Sequence, residues 1–235
     1  MSVPKAQQDP ILRSFDLRRC KISLKGGRLS VVAPTSMEPL VAKMTELDDR
    51  RRNERMPFWA EVWPSSVGLA RCLAKNAQLE GCSVLELGCG VGVGGTAAAW
   101  LGAASVDFVD FFEEALAFAS FNATMNRRHQ ATEITTRLFD WTRDRLDRRF
   151  DQILAADVLY EERYHEPLLA LVDQALEAAG EAWFVDPCRT TADPFFEAIG
   201  ERFSIEVEHF ETTWPERSCD LRLLRARRHS SQAFA

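Results

Sequence analysis

The stretch "LELGCGVGVGG", residues 85–95, decides how this chain folds. Five glycines lie within the eight positions from Gly88 to Gly95, directly after a short apolar run that is typical of a β-strand. Because glycine has no Cβ, a strand that ends in glycines and leads into a helix lets the backbone approach a ligand closely. The stretch therefore predicts a ligand-binding loop between a strand and a helix.

Downstream of residue 83, short apolar runs alternate with helical patterns. The runs "SVLELG", "SVDFVD", "ITTRLFD", "QILAADVLY" and "EAWFVDP" predict strands, and the segments between them predict helices at 94–103, 113–126, 166–179 and 193–203. This alternation is typical of βαβ units around a largely parallel sheet. The closing runs "SIEVEHFE" and "CDLRLLRAR" have no helical pattern between them and predict an antiparallel pair.

The segment before the glycine stretch has a different organisation. Two alternating runs around Gly26-Gly27 predict a β-hairpin over residues 20–34. Helical spacing over 38–50 predicts a helix, and a second helix is expected to begin at Pro64, a residue favoured at the first helical position.

Composition limits the class of protein. A chain of 235 residues suits one α/β domain, and 46% hydrophobic with 27% charged residues is typical of a soluble globular protein. No secretion signal and no apolar stretch of membrane-spanning length is evident, so a cytoplasmic protein is expected. The six cysteines form no C-x-x-C pair or His/Cys cluster, which predicts neither a metal site nor disulfides. A net charge of −6 argues against a nucleic-acid partner.

Glu86 helps to choose between two cofactors for the glycine loop. Gly90-x-Gly92-x-x-Gly95 matches the dinucleotide fingerprint. A carboxylate at the mouth of that turn would repel a pyrophosphate but attract an ammonium and a sulfonium. The pattern thus favours S-adenosylmethionine over NAD, with an acidic pocket mouth at Glu86. Asp110, which ends the next strand, is expected to accept hydrogen bonds from both ribose hydroxyls.

The segment "LFDWT" adds a site for the adenine ring. Asp140 follows a strand at the same sheet edge and can accept a hydrogen bond from an exocyclic amine, and Trp141 offers a flat apolar surface. In order along the chain, the glycine loop, a ribose acid and an Asp-Trp pair predict a complete cofactor site.

The motifs "ELGCGVGVGG", "VDFVD", "FDWT" and "AADVLY", with "PFWAEVWPSSVGLA" upstream, resemble the seven-stranded S-adenosylmethionine-dependent methyltransferases. Within them, the chain is most similar to the Asp-x-x-Tyr branch of protein lysine methyltransferases. "FVDPCRTT" resembles the Asp-Pro-x-Arg stretch of electron-transfer flavoprotein β-subunit lysine methyltransferases, although Cys188 stands where many members have glycine.

The resemblance implies an α/β, Rossmann-like sheet of order 3-2-1-4-5-7-6 with strand 7 antiparallel. It implies an N-terminal extension over 1–56, a methyltransferase domain over 57–228 and a tail over 229–235. The cofactor contacts that it implies are at Trp63, the backbone of Gly88, Cys89 and Gly90, Asp110, Trp141 and Ala156.

Asp157 and Tyr160 of "DVLY" are the candidate catalytic residues. Asp157 follows the fourth parallel strand, at the edge where such sheets bind ligands, and could attract and orient an ammonium. A nearby anion also raises the pKa of an amine, whereas desolvation by Phe58, Trp59 and Tyr160 lowers it. Asn122, Asn126 and the four histidines are expected to be structural or surface residues.

Four functions are compatible with these residues. Methylation of a lysine in a protein substrate, by an enzyme that acts as a monomer, is favoured. N-methylation of a small molecule on the same scaffold is the alternative. A nucleic-acid methyltransferase is disfavoured because "ADVLY" lacks the Pro-Pro-Tyr pattern of base modifiers. A non-catalytic cofactor-binding protein is disfavoured because "DVLY" is intact.

Overall fold

The computed structural model describes residues 9–42, 56–128 and 131–229. Nine strands are described in these ranges: β1 Leu17–Leu24, β2 Gly27–Pro34, β3 Ser83–Leu87, β4 Ser105–Asp110, β5 Glu133–Leu138, β6 Phe150–Ala156, β7 Leu176–Asp186, β8 Phe203–Thr213 and β9 Ser218–Arg228. The α-helices of the same ranges are α1 Glu38–Ala42, α2 Pro64–Asn76, α3 Val93–Trp100, α4 Glu113–Asn126, α5 His165–Ala175 and α6 Asp193–Arg202.

The main sheet has seven strands in the order β5-β4-β3-β6-β7-β9-β8. The pairs β3·β4, β3·β6, β4·β5 and β6·β7 are parallel, whereas β9 is antiparallel to both β7 and β8. Without the two hairpin strands, this is the order 3-2-1-4-5-7-6. The predicted topology is therefore confirmed.

The sheet lies between two layers of packed elements. Alternate residues along a strand point to opposite faces of the sheet and therefore pack with different layers. In β3, Val84 packs with the cluster that contains α2, α3, α4 and the hairpin. Its neighbour Leu85 packs with the cluster that contains α5 and α6. Because both faces are covered, the central strands read as continuous apolar runs.

The hairpin β1–β2 is docked by two asparagines of α4. Asn122 Oδ1 accepts a hydrogen bond from the N–H of Val32 at 2.8 Å, and its Nδ2 donates to the carbonyl oxygens of Val32 and Val91 at 2.9 Å each. Asn126 makes the same amide pair with Ser30, at 2.8 and 3.0 Å. The two side chains, one helical turn apart, thus replace a neighbouring strand for β2 and attach the hairpin to the glycine loop.

One predicted helix is shorter in the structure, and another lies only partly within the described residues. The helix expected over 166–179 ends at Ala175, because Leu176 begins β7, is fully buried and pairs with Phe150. That tertiary pairing overrides the helical preference of "LEAA". The helix expected over 38–50 is described only as α1, and residues 43–50 lie outside the described ranges. None of the described helices is long and apolar enough to cross a membrane.

Candidate active site

A cavity of about 760 Å³ opens at the carboxyl ends of the parallel strands β3, β4 and β6. Its volume lies within the usual range for small-molecule sites. All eleven residues that the sequence singled out line it: Trp63, Glu86, Gly88, Cys89, Gly90, Asp110, Asp140, Trp141, Ala156, Asp157 and Tyr160. Residues from five separate motifs of the sequence thus meet around one cavity.

Gly90 and Gly95 show why the loop needs glycine. Gly90 has a φ of 51°, which an L side chain rarely adopts, and a Cβ there would lie 3.1 Å from the carbonyl oxygen of Trp59. A Cβ on Gly95 would lie 2.4 Å from the ring of Phe108, so α3 could not pack so closely on β4. One glycine therefore shapes the loop, and the other brings the helix against the sheet.

Asp110 ties the end of β4 to the glycine loop. Its Oδ2 accepts a hydrogen bond from the N–H of Gly90 at 2.9 Å, and its Oδ1 accepts one from the N–H of Phe112 at 3.0 Å. Burial raises the pKa of Asp110 to about 6, although these two N–H groups oppose the rise. A carboxylate oxygen can accept more than one hydrogen bond, so Asp110 keeps acceptor capacity toward the cavity.

Glu86 lies beneath the loop, not at the mouth of the pocket as the sequence suggested. Its side chain is buried, and its two oxygens accept hydrogen bonds from the N–H groups of Gly94 and Gly95 at 2.9 and 2.8 Å. Burial raises the pKa of Glu86 to about 8, against the effect of these bonds. Glu86 therefore satisfies two free N–H groups of the α3 N-terminus, which in a dinucleotide fold would face a pyrophosphate.

The Asp-Trp pair follows β5 and lines the cavity beside Gly88, where a Cβ would lie 3.4 Å from the ring of Trp141. Trp141 packs edge-to-face on Tyr164, with ring centroids 5.7 Å apart, and this contact fixes its ring plane. Asp140 Oδ1 accepts hydrogen bonds from the backbone N–H and the hydroxyl of Thr142, at 3.0 and 2.6 Å. Asp140 Oδ2 lies 3.5 Å from Nε of Arg143.

Asp157 follows β6 and has an unusual backbone conformation. Its φ is 64°, in the left-handed region, and its N–H donates to the carbonyl oxygen of Val185 at 3.0 Å. Its carboxylate forms an ion pair with Arg189, a cavity residue that none of the site motifs predicted. Arg189 had no distinguishing local signal beyond its place in "DPCR", because the contact joins two separate loops.

Aromatic side chains line the outer part of the cavity. Tyr160 and Phe58 are each 38% exposed, and their ring centroids are 5.9 Å apart in an edge-to-face contact. Phe58 also contacts the ring of Trp63, whose Nε1 donates to the carbonyl oxygen of Phe58 at 2.8 Å. Burial raises the pKa of Tyr160 to about 12, so its hydroxyl stays protonated at neutral pH.

This fold and site define the class of S-adenosylmethionine-dependent methyltransferases with a seven-stranded sheet. The model of the family described as "Lysine methyltransferase" matches residues 51–202. The chain therefore belongs to the lysine methyltransferase family, as its motifs predicted.

Similar proteins agree with this assignment. The electron transfer flavoprotein beta subunit lysine methyltransferase of Danio rerio is 33% identical over 107 residues, which are 45% of this chain and 40% of that protein. Protein N-lysine methyltransferase METTL21A of Danio rerio is 29% identical over 167 residues, 68% of this chain and 75% of that protein. The chain thus matches less than half the length of the first relative.

A solved structure has the same fold. Magnesium protoporphyrin IX methyltransferase from Synechocystis PCC 6803 with bound SAM superposes with a TM-score of 0.53 at 17% identity, and the match covers 83% of this chain and 99% of that one.

S-adenosylmethionine is the cofactor of this family, and the residues of the cavity fit it. Gly88, Cys89 and Gly90 of the glycine loop line the cavity, Asp110 retains acceptor capacity, and Trp141 provides a flat ring. The two α3 N–H groups that would bind a pyrophosphate already bind Glu86. The donor set therefore matches a nucleoside that carries an amino acid better than a dinucleotide.

Proposed function

We propose that this protein transfers a methyl group from S-adenosylmethionine to the side-chain amine of a lysine in a protein substrate. The observation that carries the proposal is that Asp157 and Tyr160 line the same cavity as the glycine loop. A carboxylate that can bind an ammonium and a phenol that can hold an amine thus adjoin the place of the cofactor.

The cofactor roles follow the chemistry of each lining residue. Asp110 accepts hydrogen bonds from the ribose hydroxyls, Trp141 stacks on the adenine, and Asp140 accepts from its amine. The backbone at Gly88, Cys89 and Gly90 adjoins the amino-acid and ribose portions, while Trp63 and Ala156 complete the wall. Glu86 acts indirectly, because its bonds to Gly94 and Gly95 hold the loop against α3.

The cofactor supplies a methyl group on a positively charged sulfur. The protein must therefore align a neutral amine in line with it and exclude water. Since the unperturbed pKa of lysine is near 10.4, forming the neutral amine at pH 7 costs about 4.6 kcal/mol. Phe58, Trp59 and Tyr160 lower this cost by removing water around the amine, and the Tyr160 hydroxyl can hold the amine nitrogen.

A protein substrate is supported by the shape of the opening. Phe58 and Tyr160 form an exposed aromatic rim on which a polypeptide segment could lie while one lysine enters the cavity. We further propose that the protein acts in the cytoplasm as a monomer, since the described residues of one chain supply both the proposed cofactor contacts and the proposed catalytic residues. N-methylation of a small amine is the second candidate, because the same cavity could enclose such a molecule completely.

Incubation with cell lysate and S-adenosylmethionine labelled in its methyl group separates the two candidates. A discrete labelled protein band supports the lysine methyltransferase, and label confined to the small-molecule fraction supports the alternative. Tight cofactor binding without transfer to any fraction would contradict both.

A further inference from the structure

Arg189 lines the cavity and lies between two carboxylates. Its Nη1 forms an ion pair with Asp157 and lies 3.4 Å from Oδ2 of Asp186. The side chain of Asp157 is only 10% exposed and that of Asp186 is fully buried, whereas Arg189 is 34% exposed. The carboxylate proposed to receive the substrate amine is therefore already paired with a cation.

The backbone of Arg189 is fixed from both sides. Its N–H donates to Oδ1 of Asp186 at 2.7 Å, and its carbonyl oxygen accepts from Nη2 of Arg222 at 2.6 Å. Arg222 in turn contacts Asp186 at 3.4 Å and Asp193 at 2.6 Å. The backbone of Arg189 is thus held by Asp186, the last residue of β7, and by Arg222 of β9, which is itself paired with Asp193 at the start of α6. Its guanidinium is therefore presented to Asp157 from a fixed backbone.

The charges around Asp157 nearly cancel. Asp157 and Asp186 carry negative charge, Arg189 and Arg222 carry positive charge, and Asp193 is half-exposed at the far side. Burial raises the pKa of Asp186, while the N–H and guanidinium of Arg189 and the guanidinium of Arg222 lower it. Tyr160 and Tyr164 are the tyrosines among the described residues that line the cavity. The other ionisable groups of that lining are Glu61, Glu86, Cys89, Asp110, Asp140, Arg143 and Arg163.

We propose that Arg189 is a positioning residue that stays paired with Asp157 while a substrate amine is bound, so that the amine meets a neutralised carboxylate and enters uncharged. This inference rests on the proposed function. It answers a difficulty in that function, because an unopposed Asp157 would stabilise the ammonium, which cannot accept a methyl group. With Arg189 in place, Asp157 keeps a lone pair that can orient the amine, but its field is largely cancelled.

Cofactor analogues test the inference without a known substrate. Sinefungin resembles S-adenosylmethionine but carries an amine in place of the methylsulfonium, whereas S-adenosylhomocysteine has neither. The ratio of their dissociation constants, measured by calorimetry from pH 6 to pH 10, reports how strongly the site favours an ammonium beside Asp157.

The variants R189M and R189Q remove the positive charge, and R189K keeps it. We expect R189M and R189Q to increase the preference for sinefungin by about tenfold or more and to move the pH at which that preference is lost upward by about one unit. R189K should stay within about threefold of the wild type. R202M is a matched control, because Arg202 pairs with Glu166 at 3.0 Å on the surface of α6.

An unchanged ratio and pH profile in R189M and R189Q would overturn the inference. The inference would also be overturned if these variants bound neither analogue, because Arg189 would then be needed for the structure of the cofactor site itself. D157N distinguishes this failure from failure of the proposed function. If D157N lowers the preference for sinefungin but R189M does not raise it, only the role of Arg189 is wrong. If D157N also has no effect, the amine does not meet Asp157, and the proposed catalytic site is wrong.

Discussion

Asp110 accepts a hydrogen bond from the backbone N–H of Gly90 at 2.9 Å. This bond joins the carboxyl end of β4 to the glycine loop that follows β3, so one carboxylate both shapes the loop and faces the cavity. Any change at Asp110 should therefore alter the cofactor site first.

We expect D110N to weaken binding of S-adenosylhomocysteine by about 10- to 100-fold, the effect of losing one or two hydrogen bonds to a charged acceptor. Because the pKa of Asp110 is raised to about 6, affinity in the wild type should fall as the pH drops through 6 and this acceptor is protonated. Calorimetry measures both the affinity of D110N and the pH dependence of affinity in the wild type. D107N is the control, since Asp107 lies on the same strand but pairs with Arg148 outside the cavity. Equal affinities of D110N and D107N would contradict the assignment.

Substitution of Asp157 should separate binding from methyl transfer. D157N keeps the left-handed backbone conformation, which asparagine tolerates, but removes the charge. We expect methyl transfer to fall by at least about 100-fold while affinity for S-adenosylhomocysteine stays within a few-fold. Y160F should reduce transfer about tenfold, because it removes one hydrogen bond to the amine. A large loss of cofactor affinity in D157N would make Asp157 a cofactor residue instead.

Glu86 should make the folded protein less stable as the pH rises. Its pKa is about 8 when folded and near its ordinary value of 4.5 when unfolded, so the folded state binds the proton more tightly. The resulting stabilisation is complete below about pH 4.5 and is lost as the pH rises to about 8.

Denaturant unfolding from pH 5 to pH 8 tests this. Over this range, the free energy of unfolding of the wild type should fall by on the order of 3 kcal/mol more than that of E86Q, because glutamine does not titrate. Asp110 also lowers the free energy of unfolding as the pH rises, but it does so in both proteins. The difference between their two curves therefore reports Glu86 alone. Parallel curves for the two proteins would contradict the effect of burial.

Asn122 should contribute more to stability than Asn126. N122A removes three hydrogen bonds and leaves Val32 and Val91 with unpaired polar groups, so we expect a loss of about 3 kcal/mol, against about 1 kcal/mol for the partly exposed N126A. Hydrogen exchange at Val32 should accelerate in N122A. N76A, an exposed residue at the end of α2, should change stability by less than about 0.5 kcal/mol. Equal effects of all three would rule out the docking role.

The backbone of Cys188 has a strained conformation. Cys188 has a φ of 56°, the region that favours glycine. We expect C188G to be more stable than C188A by about 1 kcal/mol, because glycine relieves the strain. At Cys219, inside β9, the order should reverse, with C219G less stable than C219A by about 0.5–1 kcal/mol. Calorimetric unfolding of the four variants compares them, and the same order at both positions would refute the argument.

Much of the fold was predictable because local patterns and the sheet agree. The glycine stretch, the alternation of runs and the unbroken final pair of strands predicted a largely parallel sheet with an antiparallel end, and the strand order followed from the family resemblance. The prediction of a helix over 166–179 was wrong for its last four residues, because Leu176 pairs with Phe150 of a distant strand and begins β7. Such pairing leaves no local signal.

The site was predictable where residues follow strands, and less so where loops meet. Ten of the eleven assigned residues line one cavity because they lie at or just beyond the carboxyl ends of parallel strands, which share one edge, whereas Trp63 precedes α2 and was implied only by the family resemblance. The position of Glu86 beneath the loop was missed, since helix packing decides which groups it meets. Arg189 was missed because its partner Asp157 lies 32 residues earlier, in another loop. Asn122 and Asn126 were expected to be structural or surface residues, but nothing in their own helix indicated the hairpin that they bind.

The most direct test uses S-adenosylmethionine with a trideuterated methyl group, cell lysate, and either the wild type or D157N. Tandem mass spectrometry of the digested proteins should find the trideuteromethyl group on the side-chain nitrogen of a lysine in a discrete protein with the wild type, and none with D157N. Label found only on small molecules or nucleic acid with the wild type, or equal lysine labelling by D157N, would contradict the account.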